Sequence, residues 1–72
     1  MGSGFIFMTQ LEASRKRRAL TQAALAFLAQ LSQGEISRYE RRRAMPSERA
    51  LGRLAGVLKV PADRLLDEAG HD

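Results

Sequence analysis

Apolar residues in this chain return at helical spacing. From Met8 onward hydrophobic positions recur every three or four residues, without the strict alternation of a half-buried strand and without a two-residue hairpin signal. The clearest stripe is Leu51, Leu54, Ala55 and Leu58, at i, i+3, i+4 and i+7 behind the cap residue Ser47. Upstream, Thr9 caps a helix running from about Thr9 to Arg18. Glu12 stands at the third following position, as a capping box requires, and Arg15, Lys16, Arg17 and Arg18 suit the negative C-terminal end. Met8 and Leu11 fall on its inner face, with Arg15 one turn on. Thr21 opens a helix from Gln22 to Ala29 carrying Leu25, Ala26 and Ala29. Ser32 caps a third, from Gln33 to about Arg41, whose inner stripe is Ile36 and Tyr39. Gln33, Gly34, Ser37, Arg38 and Arg41 gather on its opposite face. Pro61 starts a last short helix bearing Leu65 and Leu66, with Asp63 near its N-terminal dipole. The expected fold is all-α, a compact bundle of about five short helices.

Seventy-two residues provide interior for a single core. Residues 1–7 read as a leader or an appended remnant, 8–68 as the folded domain and 69–72 as an acidic tail. With 44% hydrophobic and 28% charged residues the chain is of ordinary globular composition, and it has no cysteine for a disulfide or a thiolate metal site. No apolar run approaches the roughly 18 residues of a membrane span, so a soluble, cytoplasmic location is expected.

Charge narrows the function. Residues 1–62 carry eleven bases and four acids, and residues 63–72 one base and four acids. A basic body attracts polyanions, and counterion release then supplies affinity. Ten of the twelve bases are arginine, whose planar fork suits phosphate and guanine. Enzyme chemistry finds little support: His71 is the only histidine, no thiol nucleophile exists and no Gly-rich phosphate loop occurs. Asp67, Glu68 and Asp72 lack the spacing of a calcium loop, so neither metal nor cofactor is expected.

A short capped helix, the connection Gln30-Leu-Ser32 and a second helix with a polar outer face describe a helix-turn-helix unit. The stretch Thr21-Gln-Ala-Ala-Leu-Ala-Phe-Leu-Ala-Gln-Leu-Ser-Gln-Gly-Glu-Ile-Ser-Arg-Tyr-Glu40 resembles the helix-turn-helix of the phage repressor and Cro family, whose usual pattern is T-Q-x-x-L-A-x-x-x-G-[VI]-[ST]-x-x-x-[IV]-S-x-[IWYL]-E. Arg41-Arg-Arg-Ala-Met-Pro-Ser47 resembles that family's basic loop, and Leu51 through Leu66 its last two helices, so roughly 60 residues stand in register.

The resemblance implies a lambda-repressor-like domain whose third helix enters the major groove of duplex DNA. Gln22 then matches a glutamine that binds phosphate and props the first reading residue, Gln33. A glutamine amide pairs bidentately with adenine, and Arg38 on the same face suits guanine O6 and N7. Ser37 serves a base or a phosphate, Gly34 leaves room for a thymine methyl, and Glu35 can accept from cytosine N4. Arg41, Arg42 and Arg43 match the loop that touches phosphates, setting affinity and register. Arg15 and Glu40 resemble a structural salt bridge between helices 1 and 3. Pairing of two copies through Leu65 and Leu66 would give a homodimer on an inverted repeat, regulating transcription by repression, and the implied location is with the nucleoid.

The chain departs from the pattern at Ala19 and Gln30, where the family usually has glycine because the backbone turns left-handed. A residue with a side chain there is strained by about 1 to 2 kcal/mol, and the turn is expected to close differently. Gly34 inside the reading helix costs about 1 kcal/mol more than alanine. Phe27 and Leu28 replace polar residues and with Phe5, Ile6 and Phe7 form an apolar set. Either residues 5–7 fold back on helix 2 or pair across a dimer, or they are a disordered leader and Phe27 packs partly on helix 4. The competing function is an antitoxin-like or other protein-interaction module that docks a toxin or second regulator through Phe27 and Leu28. RNA is the weaker polyanion, since the basic face lacks stacking aromatics.

Overall fold

The computed structural model describes residues 8–69. Among them stand four α-helices: α1 Gln10–Arg17, α2 Gln22–Ala29, α3 Gln33–Glu40 and α4 Glu48–Leu58. All four begin at the hydroxyl residues that the spacing selects. Thr9, Thr21, Ser32 and Ser47 accept from the backbone N–H groups of Glu12, Ala24, Glu35 and Ala50 at 3.0, 3.0, 3.1 and 3.1 Å. Each satisfies an amide that has no partner within its helix. The reciprocal capping box forms at Ser32 and Glu35 rather than at Thr9 and Glu12. The Glu12 carboxylate instead takes Lys16 one turn on, at 2.9 Å.

In place of a fifth α-helix there is a single 3-10 turn, Ala62–Arg64. The backbone beyond it is drawn into long-range bonds. Leu65 and Asp67 offer their carbonyls to the N–H groups of Leu11 and Gln10 at 2.8 Å each, and Ala69 donates to the Met8 carbonyl at 2.8 Å. Thr9 and Glu68 lie opposite each other as an isolated antiparallel bridge. These bonds satisfy open amides at the start of α1, which another helical turn at the C-terminus would leave unserved. Ala69, placed in the tail by sequence, is therefore buried with the domain.

The core is built on Leu11, Leu25, Ile36, Leu54 and Leu65, all wholly buried, with Tyr39 and Leu58 around them. On α4 the innermost line is Ala50, Leu54 and Leu58, with Leu51 and Ala55 flanking it half-buried. Met8 is not on the inner face as expected. It lies before the first turn of α1, is 37% exposed, and hands only its carbonyl to the fold. The expected dimer contact Leu65 is also corrected, because this side chain is fully consumed by the core.

Four non-glycine residues adopt left-handed backbone: Ala19, Gln30, Arg42 and Lys59, with φ of 56°, 60°, 59° and 59°. Each follows a helix end. The turns close as glycine would close them, with bonds from Leu20 to Arg15, Leu31 to Ala26 and Arg43 to Arg38 at 3.1, 2.8 and 2.8 Å. Six-to-one bonds of this kind satisfy terminal carbonyls. The expected alternative closure at Ala19 and Gln30 does not occur; the chain carries the strain instead.

Candidate nucleic-acid interface

The turn Gln30-Leu31-Ser32 packs α2 and α3 against each other, and α3 turns Ile36, Tyr39 and Glu40 inward. Gln33, Gly34 and Arg38 are left exposed, and Ser37 is half-buried beside them. The Ser37 hydroxyl accepts from Arg41 Nη2 at 2.6 Å, which carries the polar face into the loop that follows. Arg41, Arg42 and Arg43 are all exposed. The left-handed residue Arg42 reverses the chain here, and its Nη2 reaches the Leu66 carbonyl only at a long 3.5 Å. Arg42, Arg43, Ala44, Met45 and Leu66 line a shallow cleft beside that loop.

What orients α3 is a buried cluster behind it. Arg15 Nε donates to Glu40 Oε2 at 2.6 Å and Nη2 to Oε1 at 3.0 Å, while Nη1 donates to the Leu20 carbonyl at 2.8 Å. Gln22 Nε2 adds a donor to Glu40 Oε1 at 3.0 Å. One carboxylate thus ties α1, α2 and α3. Hydrogen bonding to Glu40 holds the Arg15 guanidinium above its ordinary pKa, outweighing the opposing effect of burial. The pair expected by resemblance is formed. Gln22 has a further post beyond the expected one: one N–H of its amide goes to Glu40.

Glu35, considered as a cytosine acceptor, has a structural post. Its Oε1 accepts the Ser32 N–H at 2.8 Å, and Oε2 faces the Tyr39 hydroxyl at 3.5 Å. The Ser32 backbone and hydroxyl bonds hold its carboxyl below the usual glutamate range. Desolvation by burial raises the Tyr39 phenol above its own.

One residue that sequence reasoning passed over braces the reading unit. Arg53, on α4, sends Nη1 to the Gln30 carbonyl at 3.3 Å, so α4 holds the turn between α2 and α3. No local pattern signals a bond between positions so far apart. On the outer side of α2, Phe27 is 82% and Leu28 52% exposed, which leaves no partial packing of Phe27 on α4. The proposed covering segment, residues 5–7, lies outside the described residues.

Residues 11–65 match the family HTH_3, described as helix-turn-helix. The chain is similar to two Bacillus subtilis (strain 168) proteins. One is the uncharacterized HTH-type transcriptional regulator RghRB, 39% identical over 66 residues, covering 90% of this chain and 48% of that protein. The other is the HTH-type transcriptional repressor RghR, 38% identical over 66 residues, covering 90% of this chain and 49% of that protein. The chain thus spans about half the length of the curated relatives it matches. Its fold is similar to the P22 c2 repressor in complex with synthetic operator 9T, with a TM-score of 0.75 at 33% identity over 79% of this chain and 86% of that one. It is likewise similar to the solution structure of the P22 c2 repressor DNA-binding domain, with a TM-score of 0.74 at 31% identity over 88% and 86% of the two chains.

Proposed function

The chain belongs to the helix-turn-helix family, a family of DNA-binding regulators rather than enzymes, and we propose that it reads duplex DNA with α3 and represses transcription as a homodimer on an inverted repeat. One observation carries the reading: Gln33, Gly34 and Arg38 stand exposed on one side of α3, and that side runs without interruption into exposed Arg41, Arg42 and Arg43. Gln33 and Arg38 supply bidentate donors and acceptors for base edges, and Ser37 a short hydroxyl. The loop arginines hold phosphates and fix the register, with Gln22 adding a polar contact where α2 crosses the backbone. The likeness to a repressor solved on an operator supports this assignment. One reading helix covers a half-site, so two copies related by a two-fold axis would read both halves. Half-buried Leu66 remains the contact proposed between them.

Among the described residues no helix is long and apolar enough to cross a membrane. A second reading rests on the exposure of Phe27 and Leu28. An apolar pair of this size on a polar shell fits a protein partner, as in an antitoxin.

The deciding experiment is selection of bound sequences from a random duplex pool at physiological salt, where non-specific phosphate binding is weakened. Enrichment of an inverted repeat is the expected result. A folded protein that enriches nothing overturns the proposal and directs attention to Phe27 and Leu28.

A further inference from the structure

Gly34 is the second residue of α3, exposed, and its backbone does not enter the left-handed region. No turn or core contact asks for glycine there, and glycine is the poorest helix former after proline. The space its side chain would fill is occupied. A Cβ on Gly34 would lie 3.3 Å from Arg38 Nη1, 4.0 Å from Arg38 Cζ and 3.9 Å from Ser32 Oγ. At the two glycines of α4, Gly52 and Gly56, the same atom meets nothing within 4 Å.

We infer that Gly34 is the positioning residue for Arg38: its bare backbone is the shelf on which the guanidinium lies. The inference rests on the DNA-reading proposal and assigns a device within it. Side chains on a helix lean toward its N-terminus, over the residue four positions earlier. Arg38 follows that course because nothing at position 34 blocks it, and its cation comes to rest over the first turn. The positive end of the helix disfavours a cation there. The Glu35 carboxylate, locked in place by Ser32, supplies a compensating charge. Gln33 and Arg38 are thereby brought to the same end of the reading helix, where groove contacts are made. A side chain at position 34 lifts the guanidinium off this shelf and alters the base edge it meets.

The test uses the full chain and duplex DNA. The operator is first selected with the wild type, and the base pair whose preference Arg38→Ala relaxes is identified. Competition binding then compares that operator with a duplex changed at that pair. The Arg38→Ala change lowers discrimination about tenfold, the scale of one bidentate base contact. Gly34→Ala, which forces a shift of a few tenths of an ångström, lowers it severalfold at the same pair, and Gly34→Leu lowers it about as far as Arg38→Ala does. Gly34→Ala meanwhile raises Tm, so lost discrimination cannot come from unfolding. In the Arg38→Ala background the Gly34 variants leave discrimination unchanged, as coupled residues require. Undiminished discrimination by Gly34→Ala and Gly34→Leu overturns the inference alone, as does an effect that persists without Arg38. A wild type that selects no sequence overturns the DNA reading and this inference together.

Discussion

Arg15 and Glu40, on α1 and α3, meet as a two-pronged ion pair of 2.6 and 3.0 Å at 8% and 6% exposure. Removing one partner strands the other charge in the core. The Glu40→Ala variant is expected to lose about 3 to 5 kcal/mol in chemical denaturation. Replacing both with apolar residues, as in Arg15→Met with Glu40→Leu, recovers most of the loss. A double variant no more stable than Glu40→Ala would show that Glu40 stabilises chiefly through Gln22.

Glu35 makes the start of α3 sensitive to acid. Its folded pKa lies below its unfolded value because Ser32 bonds the ionised form. The stabilisation is present above the unfolded value near pH 4.5 and disappears as pH falls through the lower folded one. Thermal melts from pH 6 downward are therefore expected to show a falling Tm that Glu35→Gln flattens. Equal acid limbs in both proteins would assign the loss to other carboxylates.

Leu65 and Leu66 are adjacent but differ in burial, the first wholly buried and the second partly. Leu65→Ala should cost about 2 to 5 kcal/mol in the unfolding of the monomer. Leu66→Ala should cost much less, and its effect should appear as weaker self-association in sedimentation. A reversed order would return Leu65 to the dimer contact.

Gln30 and Lys59 sit at φ of 60° and 59° at the ends of α2 and α4. Glycine relieves the left-handed strain, offset in part by the greater freedom it gives the unfolded chain. Gln30→Gly and Lys59→Gly are each expected to raise stability by up to about 1 kcal/mol in denaturant titration. Because Arg53 holds a backbone carbonyl of Gln30, that bond survives the change. Lower stability in both variants would show the strain to be relieved elsewhere.

Base readers and phosphate holders should respond differently to mutation. Arg38→Ala is expected to cost about 1 to 3 kcal/mol on the selected operator and to relax one position. Arg43→Ala should weaken all duplexes alike and lower the salt slope by about one. Equal losses on operator and random DNA for both variants would refute the division of labour.

Local chemistry in the sequence already determined the four caps, the inner lines of α2 and α3, and the outward polar face that carries Gln33 and Arg38. Caps and periodicity act within a few residues, and those residues are adjacent in the chain. The buried partnership of Arg15 with Glu40 was legible only through resemblance to a family, since the two are 25 positions apart. The course of residues 62–69 was decided by the tertiary structure alone. A segment that reads as a fifth helix gives its backbone groups to the opening of α1, because amides left unserved there are costly and only the folded chain brings residues 65–69 beside residues 8–11. The same holds for Gln22, whose amide is drawn to a carboxylate 18 positions away on another helix.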